Sequence, residues 1–212
     1  TNLQEEPMQR AFEALKSFLQ IAKNLKSRKI LCVATSALRD APNKKVFLDK
    51  VSKELKLNIK VIDGVKEAYY GGLSTLNLLP CENFTTLDIG GGSTEFAFIN
   101  DNNIVDTVSL KIGTVRIKEL FLNNNDYDGA KNYIHEELQT INKKLPTVVG
   151  LGGTARALSR MIMEQSDYCL DIAHGFEYDV KNYKEFFERI VNASSLKEPN
   201  KELKSLGVNK DS

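Results

Sequence analysis

A turn of three consecutive glycines is the part of this sequence best suited to bind an anion. An apolar strand enters it as far as Asp88, and a second apolar strand leaves it through Glu95. Because glycine has no β-carbon, the backbone N–H groups of such a turn can converge on one bound ion. Two hydroxyl side chains next to the glycines add further donors. The candidate phosphate-binding residues of this turn are Gly90, Gly91, Gly92, Ser93 and Thr94.

Two carboxylates flank the glycine turn. Asp88, at the end of the entering strand, can position a metal ion through its oxygens. Glu95 cannot attract an anion by charge, so it is a candidate for activating water and for sharing the metal ion. The alternative is a glycine-rich hairpin with an ordinary polar rim. The combination of Asp, three glycines, Ser and Glu favours a phosphate site.

Arg39 is a second candidate ligand for phosphate. It follows a predicted strand at 29–34, whose apolar run at 30–33 indicates burial. Open α/β sheets bind ligands at the carboxyl ends of their strands. The structural alternative is that Ser36 caps a helix and Arg39 forms a surface ion pair with Asp40. On the residues alone the structural alternative is favoured.

Glu67 lies in the first turn of a helix predicted from Val65 to Leu79. A carboxylate there interacts favourably with the helix dipole, which is a sufficient structural reason for its presence. The functional alternative is a general base. Lys66 stands beside it, and an adjacent cation would favour the ionised form and weaken the base.

A second glycine turn precedes a helix near residue 154. Gly152 and Gly153 would let a ligand approach the backbone, and Thr154 is predicted to cap a helix whose N-terminus attracts phosphate. Arg116 follows a glycine near another helix start, where it faces either the cleft or the solvent. A glycine pair before a helix is weak evidence by itself.

The elements that position these residues alternate between helix and strand in the first half and form hairpins in the second. We place a domain boundary near residue 82. The predicted helices cover 5–25, 47–57, 65–79, 116–122, 128–144, the stretch after 154 and about 183–191. The predicted strands cover 29–34, 59–62, 84–89, 95–99, 104–110 and 147–149.

The composition is that of an ordinary globular protein. Lys plus Arg is 29 against 28 acidic residues, a net charge of +1, so broad electrostatic capture of nucleic acid or membrane is not expected. No apolar run is long enough to span a bilayer. The three cysteines are an odd number at wide spacing, which favours reduced thiols and a cytoplasmic location.

Five motifs, in order along the chain, resemble those of the exopolyphosphatase/guanosine pentaphosphatase family (Ppx/GppA), a branch of the actin-like phosphotransferase superfamily. They are the stretches 34–41, 63–68, 88–95, 113–119 and 150–154. The resemblance implies an α/β fold of two actin-like (ribonuclease-H-like) domains with mixed sheets flanked by helices. The first domain would comprise residues 1–82 and be incomplete, and the second would comprise residues 83–212.

The resemblance also implies a reaction, the hydrolytic removal of a terminal phosphate from inorganic polyphosphate or guanosine pentaphosphate. Glu67 and Glu95 would be catalytic, and Arg39 and Arg116 would grip phosphates. Mg²⁺ or another divalent cation would be held at Asp88 and Glu95. The expected partners are these polyphosphates and guanosine tetraphosphate, with no nucleic acid or membrane, and a homodimer remains open.

One family feature has no counterpart in the sequence, the first phosphate loop at the N-terminus. We therefore expect a fragment that turns over little or no polyphosphate by itself. Two alternatives from other classes remain open: a sensor that binds guanosine tetraphosphate or pentaphosphate without hydrolysis, and an actin-like ATPase or sugar kinase.

Overall fold

The computed structural model describes residues 2–143, 147–166, 168–169 and 171–193, which form an α/β structure. The helices are α1 Glu5–Asn24, α2 Ser36–Arg39, α3 Lys44–Leu55, α4 Gly64–Leu78, α5 Thr114–Leu120, α6 Tyr127–Gln139, α7 Gly152–Gln165 and α8 Lys184–Ala193. Two 3-10 helices cover Leu122–Asn124 and Val180–Tyr183. The strands are β1 Cys32–Ala34, β2 Ile59–Val61, β3 Phe84–Ile89, β4 Thr94–Asn100, β5 Asn103–Leu110 and β6 Val148–Leu151. Within these ranges, none of the helices is both long and apolar enough to cross a bilayer.

The first sheet has two parallel strands, with Cys32 opposite Ile59. Helices α1 and α3 pack together beside it and contribute most of a buried cluster. That cluster has four fully buried members, Phe12, Phe47, Val51 and Leu57.

The predicted buried strand at 29–34 is only partly correct. The strand itself is Cys32–Ala34, and the preceding Leu31 is 78% exposed. Val33 is also exposed, because alternate residues of a strand point to opposite faces and the described residues supply a helical layer on one face only. An apolar run of four residues therefore did not by itself establish burial on both sides.

The second sheet has four strands in the order β5-β4-β3-β6. The predicted antiparallel meander is confirmed for β3, β4 and β5, and β6 adds a parallel partner to β3. Six of the seven residues of β4 are buried because both faces of the strand are covered. Two of the buried clusters, which contain Phe96 and Ala97, lie on this strand.

A β-bulge interrupts the pairing of β4 with β5. Ile99 pairs with Ile104, but Phe98 pairs with Asp106, so one residue of β5 has no partner. This extra residue shifts the register of everything beyond it by one position. Glu95 consequently pairs with Ser109.

Helix α4 packs on the four-stranded sheet across β4 and β5. The contact is close at Gly72, where a β-carbon would lie 2.8 Å from the β-carbon of Ala97. The helix thus joins the first half of the chain to the second sheet. The predicted domain boundary near residue 82 follows this helix and stays a prediction.

Several predicted helix boundaries differ from the structure, those of α5 and α6 among them. Helix α5 begins at Thr114, earlier than predicted, because Gly113 adopts extended N-cap geometry. Helix α6 ends at Gln139, and the predicted end at Lys144 lies outside the described residues. The final stretch, 194–212, also lies outside them.

Candidate active site at the glycine turn

The turn between β3 and β4 is closed by one internal hydrogen bond, from the Gly90 N–H to the Ser93 carbonyl at 3.0 Å. The amides of Gly91, Gly92 and Ser93 donate no hydrogen bond to any residue in the described part of the chain. Three successive N–H groups of the turn therefore have no protein acceptor among the described residues, and they run from the exposed Gly91 to the buried Ser93. Successive backbone N–H groups of a turn can bind an oxyanion.

The carbonyl groups of the same turn are held by the start of α5. The Gly91 carbonyl accepts from the N–H of Val115 at 2.8 Å and from that of Arg116 at 3.0 Å, and the Gly90 carbonyl accepts from Thr114. These bonds also satisfy the first amides of α5, which have no partner within the helix. Since the carbonyls are fixed on one side, the orientation of the peptide planes is fixed before any ligand binds.

Gly113 is a residue whose role the sequence did not reveal. A β-carbon at this position would lie 2.4 Å from the backbone of Gly91, both its carbonyl carbon and its oxygen. Only a glycine lets α5 begin this close to the turn. The motif at 113–119 included this residue, but nothing in the sequence indicated that it packs on the glycine turn.

Arg39 is the central cation of the site. Its Nη1 donates to Oε2 of Glu67 at 2.8 Å and to the Ile62 carbonyl at 3.2 Å, and its Nη2 donates to Oγ of Ser93 at 3.2 Å. The same Nη2 lies 4.0 Å from Oε1 of Glu95. One guanidinium thus contacts both candidate catalytic carboxylates and the glycine turn.

Glu95 is buried, with 3% of its surface exposed, and its Oε1 accepts a hydrogen bond from Oγ of Ser109 at 2.8 Å. Burial raises the pKa of Glu95, and the Ser93 and Ser109 hydroxyls offset part of that rise. The negative charge of Glu67 adds to it, whereas the charge of Arg39 opposes it. Ser109 is a second residue that the sequence analysis missed.

Glu67 lies in the first turn of α4, as predicted. The helix is capped by Asp63, whose side chain accepts the Lys66 N–H at 2.7 Å. The side chain of Lys66 is exposed, and within the described residues it forms no ion pair with Glu67. The cation that contacts this carboxylate is Arg39.

Asp88 stands at the end of β3, above the second glycine turn. Burial raises its pKa, and the negative charge of Glu67 raises it further. Its carboxylate accepts no hydrogen bond from the residues that the structure describes, so its oxygens are available to a cation. Among the described residues there is no group of three or more His, Cys, Asp or Glu able to hold a metal ion. A single carboxylate completed by phosphate oxygens and water nevertheless suits Mg²⁺.

The second glycine turn lies beside the first because Asp88 of β3 pairs with Leu151 of β6. Gly152 has a φ of +78°, and a β-carbon there would lie 2.7 Å from Oδ1 of Asp88. Gly153 is exposed, with open space where its β-carbon would be. The predicted N-cap role of Thr154 is wrong, because its hydroxyl donates to the Ile89 carbonyl at 3.1 Å and thereby ties α7 to β3.

Two other candidate phosphate ligands already have partners. The Thr94 hydroxyl is buried and donates to the Ile112 carbonyl at 2.6 Å. Arg116 donates through Nε to the Gly92 carbonyl at 2.7 Å and through Nη2 to Oδ2 of Asp40. The geometry therefore places Arg116 at the cleft and against the glycine turn.

The family model of the Ppx/GppA phosphatase family matches residues 1–211 of the chain. The chain belongs to the Ppx/GppA phosphatase family.

Solved Ppx/GppA structures share its fold. One is the family member from Aquifex aeolicus, 28% identical with a TM-score of 0.73, and the match covers 90% of this chain and 64% of that one. Another is an exopolyphosphatase from Cytophaga hutchinsonii, 27% identical with a TM-score of 0.76, and the match covers 90% and 66%. These likenesses confirm the predicted actin-like α/β fold, of which this chain contains only part.

Two curated relatives are much longer than the chain described here. A bifunctional 3-dehydroquinate synthase/phosphatase from Fusobacterium nucleatum is 39% identical over 168 residues, which is 72% of this chain and 25% of that protein. A guanosine-5'-triphosphate,3'-diphosphate pyrophosphatase from Photobacterium profundum is 30% identical over 176 residues, which is 77% and 35%. The chain thus spans between a quarter and about a third of these relatives.

Proposed function

We propose that this chain carries the reaction centre of a phosphoanhydride hydrolase that removes the terminal phosphate of inorganic polyphosphate or guanosine pentaphosphate. The observation that carries the proposal is the position of Arg39, which contacts Glu67 and Glu95 at the edge of a turn with three available amides. Phosphoryl transfer needs donors on the transferring group and a carboxylate that orients water. The similarity to a guanosine pyrophosphatase and to an exopolyphosphatase supports this substrate class.

The glycine turn would bind the oxygens of the terminal phosphate. The N–H groups of Gly91, Gly92 and Ser93 would donate to them, with the Ser93 hydroxyl as a further donor. Since the carbonyls of the turn are held by α5, these donors would need no rearrangement when negative charge grows in the transition state. Gly152 and Gly153 would border the same cleft from the neighbouring strand end.

The two glutamates, Glu67 and Glu95, would together activate and orient the attacking water. Glu67 would accept the proton of the attacking water after Arg39 has moved from its carboxylate to the substrate oxygens. Glu95, fixed by Ser109 and shielded from solvent, would orient that water and keep it in line. Arg39 and Arg116 would hold the phosphates behind the terminal one, because guanidinium groups match phosphate oxygens in pairs.

Mg²⁺ or another divalent cation belongs to the same proposal. Its ligand would be Asp88, whose oxygens have no protein donor in the described structure, with Glu95 as the neighbouring carboxylate. When bound, the ion supplies positive charge to the phosphate oxygens. A cytoplasmic location is also proposed, and it is supported by the three unpaired cysteines.

A non-hydrolytic sensor is the second candidate. The observation that favours it is the 2.8 Å ion pair between Arg39 and Glu67, because a carboxylate oxygen that accepts from a guanidinium is not free to accept a proton from water. Such a protein would bind guanosine tetraphosphate or pentaphosphate and release no phosphate. Replacing Lys66 by glutamate, which removes a second nearby cation, would then restore some hydrolysis.

The test combines phosphate release with isothermal titration on the protein at its full natural length. Glu67→Gln is expected to lower kcat by about 10²- to 10⁴-fold while tripolyphosphate binding is retained. Glu54→Gln, an exposed site on α3, is the matched control and should behave as wild type. Equal release by the two variants would contradict the role of Glu67. Tight binding without any release by wild type would favour the sensor.

A further inference from the structure

Asp40 follows α2 and lies between the two arginines proposed to hold phosphate. Its Oδ2 accepts from Nη2 of Arg116, and its Oδ1 lies 3.8 Å from Nε of Arg39. The Asp40 side chain is 38% exposed, so it stands at the surface of the cleft. Arg116 is therefore hydrogen-bonded to the Asp40 carboxylate, and Arg39 lies close to it.

The same two arginines also touch the glycine turn. Arg116 donates to the Gly92 carbonyl at 2.7 Å, and Arg39 donates to Oγ of Ser93 at 3.2 Å. The Asp40 carboxylate thus lies against two arginines that each contact the glycine turn. Carboxylate and phosphate offer a guanidinium the same pair of oxygen acceptors. A phosphate group held by both guanidiniums would therefore compete with the Asp40 carboxylate.

We infer that Asp40 sets the affinity and the specificity of this site, because its carboxylate stands in for one phosphate group and a polyphosphate must displace it from Arg39 and Arg116. This inference rests on the proposed function, since it concerns the second phosphate of the same substrate. Inorganic phosphate has a single group, which the glycine turn alone can hold. Asp40 therefore weakens the binding of polyphosphates more than that of inorganic phosphate.

A purely structural ion pair makes the opposite prediction. If Asp40 only held the two arginines in place for the ligand, its removal would loosen them and weaken binding. If Asp40 competes with the ligand, its removal frees Nη2 of Arg116 and removes a negative charge beside both guanidiniums. The sign of the change in affinity distinguishes the two roles.

The experiment is isothermal titration of the protein with tripolyphosphate and, separately, with inorganic phosphate. Asp40→Asn should bind tripolyphosphate about tenfold more tightly than wild type, as expected for the loss of one like charge near the ligand. Its affinity for inorganic phosphate should change by less than about twofold. Asp40→Glu keeps the carboxylate and should remain close to wild type.

Asp106→Asn is the matched control. Asp106, on β5, is paired with Lys143, and its substitution changes the net charge by the same amount. An equal gain in this variant would assign the effect to overall charge and overturn the inference. The inference would also be overturned if Asp40→Asn, shown by circular dichroism to be folded, bound tripolyphosphate more weakly than wild type. It would likewise be overturned if no variant bound tripolyphosphate. Phosphate release decides the proposed function separately, because release can persist while Asp40→Asn binds like wild type.

Discussion

The two glycine turns look alike in the sequence but have different surroundings in the structure. Around the first turn the backbone is enclosed: a β-carbon on Gly92 would lie 1.9 Å from Oγ of Ser36, and one on Gly113 would lie 2.4 Å from Gly91. At the second turn, a β-carbon on Gly153 would have nothing within 4 Å. A side chain at Gly92 or Gly113 would thus displace its neighbours at the first turn, whereas a β-carbon at Gly153 would meet no other atom.

This difference separates a rigid turn, which we propose as the anion site, from an open approach to the backbone. The carbonyls of Gly90 and Gly91 are bonded to α5, which fixes the direction of the amides between them. The second turn is held by the Thr154 hydroxyl on the Ile89 carbonyl and by the left-handed conformation of Gly152. We therefore expect substitutions at the first turn to change both folding and binding, and substitutions at the second to have graded, smaller effects.

The largest effect is expected from Gly113→Ala. Its β-carbon would overlap backbone atoms of Gly91, which cannot move without displacing either α5 or the turn. We expect a loss of about 3 kcal/mol in the free energy of unfolding, typical of overpacking at a rigid contact. Urea denaturation measures this loss, and titration with inorganic phosphate should show weakened binding. A variant as stable as wild type would show that the first turn is less enclosed than described.

Gly152→Ala should have an intermediate effect. The residue has a φ of +78°, which costs a non-glycine residue about 1–2 kcal/mol, and its β-carbon would approach Oδ1 of Asp88. Urea denaturation should show a loss of that size. Gly153→Ala is the matched control on the next residue, where alanine also favours the helix, so its stability should equal or slightly exceed that of wild type. Equal losses in the two variants would remove the distinction between these glycines.

The smallest effect is a change in pH dependence at the first turn. Burial raises the pKa of Glu95, so the folded protein binds a proton more readily than the unfolded chain. The free energy of unfolding should therefore fall as the pH rises from the ordinary glutamate value of about 4.3 through the raised value. In Glu95→Gln this decline should be shallower, as urea denaturation at several pH values would measure. If the free energy of unfolding fell equally with pH in wild type and Glu95→Gln, the raised pKa of Glu95 would be contradicted.

Much of the fold could be predicted because the signals were local. The hairpins around the first turn follow from apolar runs separated by Gly, Asn and Asp, and α4 follows from the strand that ends at Asp63-Gly64 and from Pro80, which stops the helix. The exposure of Leu31 and Val33 could not be predicted in this way, because burial depends on which layers pack against the strand. A run of apolar residues does not show whether one or both faces of the strand will be covered.

The partners of the site residues were harder to predict than the residues themselves. Next to the turn at 100–103, Asn100 pairs with Asn103 and Ile99 pairs with Ile104. If that register continued along the strands, Val108 would lie opposite Glu95. The bulge between Phe98 and Ile99 instead places Ser109 opposite Glu95, and no residue type in the strand predicts the bulge. The contacts of Arg39 with Glu67 and Ser93 join segments far apart in the sequence, so they too required the structure.

The attachment of α4 to the four-stranded sheet has a consequence for how the site responds to motion. Glu95 and both glycine turns belong to that sheet, and Glu67 lies on the helix packed against it, whereas Arg39 and Asp40 follow β1 of the other sheet. A change in the angle between the two sheets would therefore move the Arg39 guanidinium relative to Glu95 and the turns. It would alter the local electric field, by bringing the guanidinium closer or taking it away.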